Sequence, residues 1–303
     1  MFKASIMNEM TGVVTYGITP PKAKTEKEKL LTIAEKRSQR INSLGCDGLI
    51  VYDIQDESNR TEERRPFEYF PTLDPLNYTV DMHGNINCEK IIYHVVGKYT
   101  RDEFIKRLTL ANEHNFHSVL VGAASKHQAT RMKLSEAYEI WRAYAGSGLL
   151  GAVVIPERHH HKEDEHLRII EKQKSGCSFF VSQCVCNLEM AKNFISDYCY
   201  AVEDANYRKS YFIFTLSICG TVETLNLMNW LGIDIPKWMK NDLSRGKDII
   251  KESIHQNLRI AEEIKTYCQQ KHLCCGFNVE SISPKKAEID AAMELCEHIK
   301  KMN

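Results

Sequence analysis

Net charge is the first thing this chain lacks. Its 40 Lys and Arg balance 40 Asp and Glu, for a formal charge of +0. A balanced surface offers no long-range pull on nucleic acid or an anionic membrane, and neither is expected as a partner. Long apolar runs are missing too: Leu149–Ile155 and Phe212–Leu216 are strand-sized, well short of a membrane span. The first ten residues, Met1 to Met10, include Glu9 and hold no apolar stretch of a secretory signal. There is no low-complexity segment, linker or short repeat, which argues against a solenoid or a string of modules. No G-x-G-x-x-G follows the first apolar run, which argues against an open dinucleotide-binding sheet. The 11 Cys are odd in number and scattered through periodic segments. That is the pattern of reduced thiols in a soluble, cytoplasmic protein rather than of a disulfide framework.

What is present is alternation. Eight short β-branched runs are separated by amphipathic stretches: Val13–Thr19, Gly48–Ile54, Lys90–Val96, Ser118–Gly122, Ala152–Glu157, Ser178–Val185, Tyr211–Ile218 and Gly276–Ile282. Most are nearly continuous apolar runs, as parallel strands buried on both faces require. Between them the period is helical. Leu188, Ala191, Ile195, Tyr198 and Val202 share one face, and so do Ile250, Ile254, Ala261, Ile264 and Cys268. Ser283 and Pro284 mark the start of a last helix with the stripe Ile289, Ala292, Met293, Cys296 and Ile299. Residues 60–88, with Pro66, Pro71, Pro75 and Gly84, predict an irregular excursion rather than one helix. Eight strand–helix pairs without a linker predict an α/β fold, a single (β/α)₈ TIM barrel domain over 1–303.

Four landmarks then occur in order: Pro20-Pro21 after the first run; His94 in the third; Pro156-Glu157-Arg158-His159 followed by Lys172, Gly176 and Gln183; and Ile235-Pro236-Lys237-Trp238-Met239 followed by Gly276-Phe277-Asn278. Over about residues 13–283 this set resembles the catalytic barrel of the methylenetetrahydrofolate reductase family. The resemblance implies a flavoprotein oxidoreductase of one-carbon metabolism that serves methionine biosynthesis. FAD would take hydride from NADH or NADPH and pass it to a folate-like small molecule. Two departures stand out. The family's catalytic Glu, in F-E-F-F-P-P, falls on Gly17, and its Arg-Gly-Asp falls on Gly122-Ala123-Ala124. Glycine cannot deliver the proton that opens the folate ring.

By that resemblance Tyr52, His94, His159, Glu165, Arg168 and Lys172 contact the cofactor, and Gln183 binds substrate. Arg168 is itself a changed residue, so the dinucleotide would be held differently there. Three have a plainer alternative: a barrel-lining aromatic for Tyr52, a buried structural histidine for His94, a surface lysine for Lys172. His160 and His161 read as solvated loop, because consecutive side chains diverge, and no metal site is expected. A replacement acid is sought in Asp53, Asp56 and Glu57, which follow the second run, and in Glu280 of the last. A carboxylate inside a barrel must find a partner. The acids of the second run are flanked by Gln55, Arg60, Arg64 and Arg65, and a solvated cluster of ion pairs is the plain alternative there.

Two other functions compete. A non-catalytic relative could keep flavin or folate binding, alone, as a homo-oligomer or as a subunit of a redox complex. A zinc-thiolate methyltransferase would need Cys184, Cys186, Cys219 and Cys274-Cys275 to converge. The last pair precedes the eighth run and so belongs at the wrong end of a barrel.

Overall fold

All eight runs form strands, and together they close a parallel barrel in the order β1 to β8. The computed structural model describes residues 2–57, 62–123, 129–144 and 146–302. Arg60 and Ala124 lie outside the described residues, as do the side chains of His160 and His161. The strands are β1 Val14–Ile18, β2 Gly48–Val51, β3 Glu89–Val95, β4 His117–Val121, β5 Leu150–Val154, β6 Phe179–Cys184, β7 Tyr211–Ser217 and β8 Cys275–Glu280. The helices are α1 Phe2–Met7, α2 Lys27–Leu44, α3 Pro75–Met82, α4 Arg101–Glu113, α5 Leu134–Tyr144, α6 Pro156–Lys162, α7 Glu165–Lys174, α8 Leu188–Asp204, α9 Val222–Trp230, α10 Lys237–Arg245, α11 Ile249–Gln270 and α12 Lys286–Met302. No helix among the described residues is long and apolar enough to cross a membrane.

Side chains alternate across each strand, so the sheet has two apolar faces. One set, including Ile50, Ile91, Tyr93, Val119, Phe179 and Ile213, fills the barrel interior. The other, including Leu49, Ile92, Leu120, Phe180, Phe212 and Val279, packs beneath the helices. The stripes on α8 and α11 face the core as the 3.6 period requires, buried except for Leu188 and Ile250 at their starts, which are half-buried.

Three local expectations are corrected. Residues 62–74 form no helix or strand, but the excursion also contains α3, which Asp74 caps by accepting from the Asn77 N–H. Pro75 starts that helix instead of breaking one, since the first turn spends no N–H on an internal bond. The fifth strand stops at Val154, and Pro156-Glu157 open α6. Ser283 does accept from the Lys285 N–H, but the last helix begins only at Lys286.

The N-terminal helix α1 was not foreseen. Its Phe2 and Ile6 are buried in the interior cluster, and Phe2 packs edge-on against Phe179, 5.2 Å between centroids. Gly151 leaves room for the Phe179 ring, whose Cζ lies 2.4 Å from where a Cβ would sit. This plug covers the N-terminal end of the barrel, so the C-terminal mouth is the end open to ligands.

Candidate functional site at the barrel mouth

The top inward layer is built around Glu280. It ends β8, in register with Gly17 of β1 on one side and Ser217 of β7 on the other. Registered residues of parallel neighbours face the same way, so all three point into the mouth. A Cβ on residue 17 would lie 2.8 Å from Tyr52 Cε2 and 3.2 Å from Glu280 Cβ. Glycine at 17 therefore makes the space that Tyr52 and Glu280 occupy. Tyr52 also meets Tyr93 edge-on at 4.8 Å, and its hydroxyl accepts from Asn278 Nδ2 at 2.9 Å. Asn278 in turn accepts from the Thr15 hydroxyl at 3.0 Å. Glu280 is hydrogen-bonded to both Tyr52 and Asn278, yet burial outweighs those bonds and pushes its carboxyl up to about 7.

Two polar atoms in this mouth have no partner among the described residues: Ser217 Oγ and Gln183 Oε1. Gln183 uses its other end to donate to the Leu231 carbonyl at 3.1 Å. Buried acceptors and hydroxyls rarely stay unpaired without a ligand or water to meet them. Ser217 escaped sequence reasoning because a serine in an apolar strand carries no motif. In the sequence Glu157 belongs only to the Pro156-Glu157-Arg158-His159 landmark. It is buried at the start of α6, and burial with nearby Asp234 and Glu165 raises it to about 7 as well.

Beside Gly17 opens a cavity of about 420 Å³, within the range of small-molecule sites. It runs outward between α2 and α12. Its roof is the segment carrying Arg65, Phe67, Tyr69 and Phe70. That segment is tied down by the Leu73 N–H to the Pro21 carbonyl at 2.8 Å, and by Trp230 Nε1 to the Glu63 carbonyl at 3.0 Å. Lys22, Arg37, Arg40 and Arg65 line the cavity against one acid, Glu68, so it is cationic inside a neutral protein. Arg37 is spent on the Thr19 carbonyl and Arg40 on Asp290. Arg65 lies over Tyr69 and Trp230, and its Nε and Nη1 have no acceptor among the described residues.

The remaining expected residues go elsewhere. Strand alternation sends Tyr93 inward and His94 outward, where its ring meets Phe104 of α4 at 6.0 Å and neither nitrogen has a partner among the described residues. His159 turns to the helical layer and pairs through Nε2 with Asp197 of α8 at 2.8 Å. These two corrections remove both histidines from the mouth. Lys172 donates to the Val153 carbonyl at 2.5 Å, and Glu165, fully buried, accepts from the Ile155 N–H and pairs with Arg168. These three brace the end of β5. Asp53 is likewise committed, accepting from the Val95 N–H and pairing with Lys98. Asp56 and Glu57 lie in the loop beyond it, Asp56 close enough to raise the Tyr69 phenol. Of the flavin contacts that the resemblance implies, Tyr52 faces the mouth, His94 and His159 face the helical layer, and Glu165, Arg168 and Lys172 are engaged with one another or with the end of β5.

The thiols do not converge either. Cys184 and Cys186 lie 4.0 Å apart at the end of β6, while Cys275 begins β8 and Cys274 contacts the Glu9 carbonyl at the plugged end. All 11 cysteines are free.

No protein-family model and no curated protein matches the chain. Solved structures do. An uncharacterized protein from Clostridium thermocellum that binds two copies of 5-methyl-5,6,7,8-tetrahydrofolic acid is 41% identical, with TM-score 0.88, over 100% of this chain and 99% of that one. The oxygenating constituent of 3,6-diketocamphane monooxygenase from Pseudomonas putida, in complex with FMN, is 10% identical with TM-score 0.58, over 96% of this chain and 97% of that one. The second is a likeness of fold alone.

Proposed function

The chain belongs to the family of that clostridial folate-binding barrel, and from this we propose that it binds a reduced folate at its C-terminal mouth, with Glu280 as the proton-carrying group. The observation that carries the reading is the pairing of Gly17 with Glu280. A carboxyl stands in the layer where the methylenetetrahydrofolate reductase barrel presents its acid, supplied by the neighbouring strand. The pterin ring offers N–H donors and ring nitrogens to Glu280, Gln183 and Ser217. The glutamate end of a folate is anionic and suits the cavity beside Gly17, where Arg65 has N–H groups to spare.

A carboxyl with its pKa near 7 is divided between acid and base at neutral pH, the condition that favours proton transfer in either direction. In a methylene-bridged folate, opening the five-membered ring breaks a C–N bond. The electron pair stays on nitrogen, which takes the proton of Glu280, and the one-carbon unit is left as an iminium ion. The enzyme class proposed is therefore a folate-dependent one-carbon enzyme using a β8 acid. No step is assigned to a flavin, because His94 and His159 face away from the mouth.

Isothermal titration with 5-methyltetrahydrofolate tests this. Saturable binding is expected, and Arg65→Met should weaken it roughly 10- to 100-fold, the cost of about 1.5–3 kcal/mol for a charge-assisted contact. An absence of binding up to about 1 mM ligand would overturn the reading.

A further inference from the structure

The geometry points to a divalent metal site on the helical layer, formed by His159 of α6, His166 of α7 and Asp197 of α8. Nothing in the sequence announces it, since its ligands come from three helices and the local His-His-His run is misleading. The chain reverses between α6 and α7 at Glu163, which takes a left-handed conformation at φ 52°. That reversal brings the rings of His159 and His166 edge-on, 5.1 Å between centroids and 88° apart. Asp197 reaches the pair from α8, its Oδ2 2.8 Å from His159 Nε2. One ligand atom from each residue lies within 4.8 Å of the others, and among the described residues this is the one such group of three.

A hydrogen-bonded His–Asp pair by itself leaves much unexplained. It leaves the buried Nδ1 of His166 without a partner among the described residues. A buried ring nitrogen is costly when unpaired, and an ion held by His159 Nε2 and Asp197 gives that nitrogen of His166 a partner. Two imidazoles and a carboxylate suit zinc and its first-row neighbours, with bonds of about 2.0–2.2 Å. The ligand atoms of a tetrahedral ion at those lengths are about 3.3 Å apart. The separations here bracket that value, and Asp197, 52% exposed, is free to swing. Its exposure also leaves the fourth position to water. The site is distinct from the barrel mouth. Its effect would be to clamp the α6–α7 corner onto α8.

The test is binding of the metal alone to the full chain after chelator treatment. Titration with ZnCl₂, and the visible spectrum with CoCl₂, should show one ion per chain with nitrogen and oxygen ligands and no thiolate charge-transfer band. His166→Ala and Asp197→Asn each should weaken zinc at least tenfold. Zinc should raise the melting temperature of the parent protein but not of either variant. These positions are not fully buried, so the apo variants should melt within a few degrees of the parent. Failure of the parent to bind zinc, a cobalt spectrum dominated by thiolate, or unchanged affinity in the double variant would each overturn the proposal. Folate titration of the same variants should be unaffected, which separates this site from the mouth.

Discussion

Replacing Glu280 with Gln should make the protein more stable in alkali while leaving it nearly unchanged in mild acid. The physical basis is linkage. Burial raises the folded-state carboxyl from an ordinary 4.5 to about 7. Between those values the folded chain holds a proton that the unfolded chain has released. Stability from this group is therefore fully present below about pH 4.5 and is lost as the pH climbs through about 7. A difference of about 2.5 pKa units corresponds to about 3 kcal/mol. Glutamine keeps the shape, cannot ionise, and can still pair with Tyr52 and Asn278. For 303 residues the unfolding entropy converts that energy into about 5 °C. Thermal melts of both proteins from about pH 5 to about pH 8 are the assay, and the useful quantity is the difference between the two curves. Other titrating groups affect both proteins alike and cancel. Over that range about 1.8 of the 2.5 units is spanned, so a gap that widens by about 4 °C toward the alkaline side is expected. Parallel curves would refute the view of Glu280 as a half-buried acid held near neutrality, and with it the proposed proton carrier.

Gly17→Ala should destabilise the protein by about 1–3 kcal/mol, because its methyl would meet the Tyr52 ring at 2.8 Å. Differential scanning calorimetry checks this, and a neutral substitution would show that Tyr52 is not held against β1. His94→Leu should hold or raise the melting temperature, by up to about 2–5 °C. It replaces a buried ring whose two nitrogens have no partner among the described residues by an apolar side chain of similar size. Folate affinity should not move in that variant; a tenfold loss would put His94 back at the ligand.

The barrel was legible because its signal is repeated. Eight apolar runs alternate with eight amphipathic stretches, and each supports the others. Strand ends were less legible: the stretch read as Ala152–Glu157 stops at Val154, because Pro156 starts a helix as readily as it closes a strand. The site was legible in part. Tyr52 and Gln183 are singled out by the family resemblance, and Glu280 by the need of a carboxylate inside a barrel for a partner. His94 was misplaced because its match fixes a position in the chain but not a face of the strand, and the neighbouring Tyr93 takes the inward place. Ser217 and Asp197 had no local signal at all. The first becomes visible only through register with Glu280, the second only when α8 packs on α6.

The exchange between β1 and β8 has a physical logic that goes beyond a lost side chain. A second carboxylate at 17 would stand against Glu280 in a buried layer, where two like charges raise one another's pKa and one must stay protonated. It would also need the space now filled by the Tyr52 ring. Glycine at 17, Tyr52 folded over it and the acid on β8 are thus mutually dependent, and changing one alone is penalised twice, by overlap and by charge. It follows that Gly17→Glu in the parent should not restore a second acid but expel Tyr52. In a Glu280→Gly background the same substitution loses its charge conflict and most of its overlap with residue 280. The double variant should accordingly be less destabilised than the two single variants summed, a coupling between contacting residues of about 0.5–3 kcal/mol that a double-mutant cycle reads directly. Strict additivity of the two substitutions would mean that the two strands do not share one carboxyl position.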